Sequence, residues 1–336
     1  MDELTRLLAA LEEYNSSAND FGTDDADGPT HRLDEIEKRI DDVLWHHRLD
    51  DADIRKIRLV GPPPANEEAR TAQAHGNGVR FPAYVIAPED ANQGENRPGL
   101  VFPHGGVHSN FSTNYYTPVI QELIDQGYVL VAPEYRGSTG YGQDHYELID
   151  YGGLETEDTY ETREWLAARE NRVDPDRIGV MGWSHGGLHT LMNVFDHPDA
   201  YQVAYAGVPV SDLIARMGYK DQAYRDLYEA DHHIDAPAYE VPEEYRRRSP
   251  VWNAEKLETP LLIHTTTNDE DVNVLEVESL IRALKAEGKE FEYEIYEDAP
   301  GGHLFELLDT ELAVESRRKI YEFLAARLDP PNPAVE

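Results

Sequence analysis

The chain has no cysteine among its 336 residues. Disulfides, thiolate metal sites and a cysteine nucleophile are therefore excluded. Basic residues are scarce: 30 Lys and Arg stand against 66 carboxylates, for a formal net charge of −36. A field of that sign repels phosphate backbones and anionic lipid surfaces, so neither nucleic acid nor a membrane is an expected partner. No apolar run reaches the roughly 18–20 residues of a membrane helix. Met1 to Ala10 holds acids and one Arg without an apolar core before a cleavage site. No secretory leader is expected from it, and the default compartment is the cytoplasm.

What is present is equally informative. Hydrophobic residues make up 40% and aromatics 10%, enough for a sizeable core rather than a disordered acidic tail. Among the basic residues 23 are Arg and 7 are Lys. A carboxylate surface poor in lysine resembles those of proteins from salt-loving organisms. At molar salt the Debye length falls to ~3 Å, which screens such self-repulsion. Loss of stability on dilution into low salt is the corresponding expectation.

Residues 1–50 read as a helical N-terminal extension. Leu4, Leu7, Leu8 and Leu11 fall at helical spacing, as do Leu33, Ile36, Ile40, Val43 and Leu44. These stripes call for a partner surface, and a homodimer is one expectation. Between them the TDDADG stretch places acids at two calcium-loop positions. It puts Thr23 first and Asp34 twelfth, where Asp and Glu are needed, so it reads as a solvated acidic loop.

From Ile54 the period changes. Strands are predicted over 54–59, 79–87, 99–103, 128–132, 177–182, 203–208, 260–264 and 291–296. Helices are predicted over 117–126, 156–169, 186–195, 274–287 and 311–328. This alternation implies an α/β domain over 51–336 with a mostly parallel sheet covered on both faces. Residues 211–250 break the rhythm, reading as short helices that form a small cap.

Gly182-Trp183-Ser184-His185-Gly186-Gly187 has the form G-x-S-x-G, follows a strand and opens a helix. That context makes Ser184 a nucleophile on a sharp turn, with the His185 N–H facing a developing oxyanion. A serine needs a base, and the base an orienting acid, in the chain order Ser, acid, His. His303 alone lies in a Gly-rich loop after a late strand and before a last helix. His189, His232 and His233 read as packing or surface residues. The acid should follow strand 260–264, where Asp269 and Asp271 are both available. In an extended loop these two point to opposite sides, so only one would reach His303. The turn His104-Gly105-Gly106 after strand 99–103 supplies further oxyanion candidates.

With these pieces in place the chain over 80–328 resembles the catalytic domain of the prolyl oligopeptidase family, within the α/β-hydrolase fold. The carriers are Pro103-His104-Gly105-Gly106, Pro133 to Gly142 (P-E-Y-R-G-S-T-G-Y-G), the Ser184 elbow, Leu261 to His264 with Asp269 and Val272, and Gly302-His303. Asp269 has the family's D-x-x-V spacing to Val272, which selects it over Asp271. About 90 residues precede the domain, too few for a β-propeller, which makes oligopeptide sieving unexpected.

The resemblance implies a serine hydrolase working through an acyl-enzyme, with no metal or organic cofactor. A carboxylesterase-like activity is the main expectation. An aminopeptidase or acylaminoacyl-type peptidase on small peptides is the alternative, and a non-catalytic scaffold the remote one. Candidate substrate contacts are Tyr141, Trp183, Met217, Tyr219 and Arg246. The basic cluster Arg246 to Arg248 would either hold an anionic substrate group or pair with nearby acids.

Overall fold

The computed structural model describes residues 29–66, 76–230 and 232–334. The leucine stripe at 4–11 and most of the acidic loop, 23–28, lie outside the described residues. Eight strands form one sheet: β1 (Ala52–Val60), β2 (Arg80–Pro88), β3 (Arg97–Val101), β4 (Val129–Pro133), β5 (Val173–Trp183), β6 (Val203–Gly207), β7 (Leu261–Thr266) and β8 (Glu292–Tyr296). Their spatial order is β1-β2-β4-β3-β5-β6-β7-β8. The β1–β2 and β2–β4 pairs are antiparallel, and all others are parallel. This is the α/β-hydrolase fold.

The central strands are buried almost throughout because both faces are covered. Val129 to Pro133, Val203 to Gly207 and Leu261 to Thr266 are buried at every position. One core layer packs around Val101, Val180, Leu188, Leu191 and Ile263. The other gathers Trp45, Phe102, Phe111, Trp183, Tyr205 and Leu324. The principal crossover helices are α2 (Thr113–Asp125), α4 (Leu154–Arg169), α5 (His185–Asp196), α9 (Val274–Ala286) and α10 (Glu311–Leu328); α3 (Gln143–Tyr146) is a single turn. Ser112, Asn273 and Thr310 cap α2, α9 and α10 by accepting N–H groups of the first turn.

Helix α1 (Pro29–Arg48) departs from the expected stripe. Its buried residues are Lys38, Asp41 and Trp45, while Leu33 and Val43 are exposed. Polar anchors decide the docking face. Lys38 Nζ donates to the Phe111 carbonyl at 2.6 Å and pairs with Glu134 at 3.0 Å. Asp41 Oδ1 accepts from Thr113 N at 3.0 Å and Oγ1 at 2.5 Å. Trp45 stacks on Phe111 with ring centroids 4.9 Å apart.

Residues 211–250 hold three short helices, α6 (Leu213–Tyr219), α7 (Gln222–Tyr228) and α8 (Pro242–Arg247). The start of this segment is tied to α9: buried Glu276 accepts the N–H groups of Ser211 (3.1 Å) and Asp212 (3.2 Å) and the Arg216 guanidinium (3.1 Å).

Candidate active site

Ser184 stands between β5 and α5 with φ 59 and ψ −118, a strained region for a non-glycine residue. The glycines around it are required by contact. A Cβ on Gly182 would lie 2.6 Å from the Gly186 backbone, and one on Gly186 would lie 2.3 Å from the Pro103 carbonyl. Because β5, β7 and β8 run parallel, Ser184, Asp269 and His303 follow strand ends at the same edge of the sheet.

His303 Nδ1 lies 2.8 Å from Asp269 Oδ2. The other oxygen of Asp269 accepts the N–H groups of Asp271 and Val272, each at 2.8 Å. Asp269 is thus oriented by two backbone donors, with its second oxygen left to face the imidazole. The expectation that only one of the two aspartates reaches the histidine is corrected. Asp271 Oδ2 lies 3.4 Å from His303 Nε2. The loop is not extended: the Asp271 N–H folds back onto Asp269, which cancels the two-residue alternation. Asp271 is held by Lys220 and, at 3.5 Å, by Arg216. These cations keep its carboxyl below the usual range despite partial burial. No hydrogen bond joins Ser184 Oγ to His303 among the described residues, a looseness that apo sites often show.

Two of the four expected oxyanion groups are otherwise engaged. Gly105 N–H donates to Tyr116 Oη at 2.8 Å. The His104 ring is buried, with Nε2 2.9 Å from Ser138 Oγ and its face stacked on Tyr135. Burial holds its pKa down to about 4, so it is a neutral strut inside the turn. The N–H groups of Gly106 and His185 make no backbone hydrogen bond among the described residues outside helices and strands. His185 opens α5, where an N–H has no partner within the helix.

The candidate substrate contacts separate. Trp183 is buried, and its Nε1 donates to Glu306 Oε2 at 2.6 Å, because successive strand residues face opposite ways. Tyr141 lines a 660 Å³ cavity with Glu35, Lys38, Asp42, Lys56 and Arg58, next to α1; none of the triad candidates lines it. Met217 packs against the core. Arg246 pairs with Glu243 at 2.6 Å, Arg247 with Glu244 at 2.7 Å and Arg248 with Asp150 at 2.6 Å, so the basic cluster is matched by acids. Tyr219 alone comes to the acid loop, where its Oη accepts the Asn273 N–H at 3.1 Å.

Several neighbours were not legible beforehand. Glu306, three residues after His303, is fully buried and takes hydrogen bonds from Trp183, Tyr205 and Ser316, with His264 Nδ1 2.8 Å away. Burial pushes its carboxyl up, but these donors outweigh it and hold it low. An acid inside the apolar run Leu304-Phe305-Glu306-Leu307-Leu308 was the available signal. His233, read from the sequence as a surface residue, is buried.

Residues 114–330 match the profile of the prolyl oligopeptidase family. A Bacillus subtilis protein described as uncharacterized peptidase YuxL is 30% identical over 216 residues, 64% of this chain and 32% of that protein. The acylamino-acid-releasing enzyme of Sus scrofa is 29% identical over 236 residues, 68% of this chain and 31% of the enzyme. The chain thus spans about a third of the length of these relatives. Among solved structures, Pyrococcus horikoshii acylaminoacyl peptidase superposes with a TM-score of 0.69 at 21% identity, covering 86% of this chain and 44% of that one. No helix among the described residues is long and apolar enough to cross a membrane.

Proposed function

The chain belongs to the prolyl oligopeptidase family of serine hydrolases, and on that premise we propose that it is an acylaminoacyl- or aminopeptidase-type serine peptidase acting on small peptides. The observation that carries the site is the 2.8 Å contact of His303 Nδ1 with an Asp269 carboxylate already fixed by two backbone donors. Relatives described as acylamino-acid-releasing enzymes support peptide bonds, the alternative reading of the sequence, over its main, carboxylesterase-like expectation. The proposal takes 51–336 as the catalytic domain, with 211–250 as its cap.

In the proposed reaction Ser184 Oγ attacks the scissile carbonyl while His303 Nε2 takes its proton. The tetrahedral oxyanion sits against the N–H groups of His185 and Gly106, each such donor being worth about 3–4 kcal/mol. His303 then protonates the leaving amine, and water enters by the same base to release the acyl group. Asp269 stabilises the imidazolium that forms in both halves.

The test is a panel of N-acyl-aminoacyl and free aminoacyl p-nitroanilides beside p-nitrophenyl esters, with Ser184→Ala as the blank. The proposal expects kcat/KM on at least one anilide to exceed that on every ester of matched acyl group. Turnover confined to esters would reject the peptidase assignment. Failure of a fluorophosphonate probe to label Ser184 would reject the nucleophile.

A further inference from the structure

We propose that His108, His232 and His233 form a binding site for a divalent transition metal, zinc by its chemistry, that clamps the cap to the loop following β3. One ring nitrogen from each of the three lies within 4.8 Å of the other two. His108 Nε2 and His233 Nε2 are already 3.0 Å apart. Tetrahedral zinc with Zn–N near 2.0–2.1 Å requires nitrogens about 3.3 Å apart. Closing the site therefore asks for shifts on the order of 1.5 Å or less.

The surroundings fix the form of the ligands. His108 Nδ1 lies 2.8 Å from the Gly137 carbonyl, which can only accept. That places the proton on Nδ1 and leaves a lone pair on Nε2, the arrangement that outer partners impose on metal-binding histidines. The ring is held flat against Tyr146, with centroids 3.4 Å apart. In the metal-free site the 3.0 Å contact then requires His233 to donate from Nε2. Its Nδ1 is buried without a hydrogen-bond partner. Metal binding moves the His233 proton from Nε2 to Nδ1 and puts the cation in its place, with no net proton change at this ring.

The donor set selects the metal. Three imidazoles without a carboxylate suit zinc, copper or nickel and are poor for magnesium or calcium. Three protein ligands leave a fourth position open. His108 is two residues beyond Gly106, whose N–H faces the proposed oxyanion, while His232 and His233 belong to the cap between α7 and α8. Occupancy would join two segments that share no backbone–backbone hydrogen bond among the described residues.

The experiment is calorimetric titration of the full, tag-free chain with zinc chloride, in excess magnesium to occupy surface carboxylates. One zinc per chain is expected, with a rise in melting temperature at saturation. His108→Gln and His233→Gln, checked for folding by circular dichroism, should each weaken binding at least ~100-fold, the upper end of what disturbing an outer partner does. For the wild-type chain, cobalt should give the intense visible bands of low-coordinate nitrogen ligation, a readout that needs no variant. No stoichiometric site, an all-oxygen octahedral cobalt spectrum, or unchanged affinity in both variants would overturn the proposal. The last outcome would place the metal elsewhere, for example at Glu155, His185 and His189.

Discussion

Asp269→Asn should reduce kcat by about 10⁴, or some 5.5 kcal/mol of transition-state stabilisation, with the fold intact. The geometry says why an isosteric amide fails. Asp269 Oδ1 accepts two backbone N–H groups at 2.8 Å. In the variant the amide oxygen must keep that place, since an NH₂ there would oppose two donors in a buried pocket. The NH₂ then faces His303 Nδ1, 2.8 Å away. Two donors cannot share that contact, so the ring proton leaves Nδ1 for Nε2. Asp271 Oδ2, 3.4 Å from Nε2, favours this same tautomer. The base would then present a proton to Ser184 instead of a lone pair. Asp271→Asn removes only a half-exposed, solvent-screened carboxylate and should change kcat less than about tenfold. The assay is steady-state turnover of one activated ester and one anilide, with melting temperature as the folding control. If Asp269→Asn stays within tenfold of wild type while Asp271→Asn loses activity, the acid is Asp271 and the argument fails.

Three further outcomes are expected. Arg136 and Asp158 form a fully buried two-pronged ion pair, with 2.8 and 2.7 Å contacts. Arg136→Met leaves Asp158 uncompensated and should destabilise by about 3–5 kcal/mol in urea titration; a loss under 1 kcal/mol would contradict the burial argument. Glu155 is pushed up to about 8 by burial and by Asp150. Its unfolded form titrates near the ordinary 4.5, so folding binds a proton between the two values and stability falls as pH rises through that window. The melting temperature of Glu155→Gln should therefore gain on wild type between pH 5 and 8, at up to about 1.4 kcal/mol per unit, whatever constant offset the amide adds. A pH-independent difference would mean that Glu155 is ionised in the fold. Finally, the net charge of −36 should make the melting temperature rise with NaCl, because a Debye length of ~3 Å at molar salt screens self-repulsion; equal values at low and multi-molar salt would remove the salt-adaptation idea.

Local chemistry carried much of this protein's design into its sequence. Strand and helix periods placed the eight strands and the long crossover helices, because each buries a face whose spacing is fixed by backbone geometry. The final helix runs over the predicted 311–328. Gly182, Ser184 and Gly186 announced the elbow, since a Cβ at either glycine would strike neighbouring backbone. Gly301 and Gly302, at φ 94 and 53, likewise announced the loop that presents His303.

Tertiary structure alone decided what depended on direction and partners. Composition could not say that α1 docks through Lys38, Asp41 and Trp45, because the acceptors Phe111 and Glu134 lie more than 70 residues away. Nor could spacing reveal that Gly105 N–H is taken by Tyr116, that Trp183 faces Glu306, or that a turn brings both Asp269 and Asp271 to one imidazole. His108 and His233, 125 residues apart, meet because the segment between α7 and α8 packs against the loop after β3. A residue's type and its period along the chain are local properties, whereas the group it finally faces is set by long-range packing.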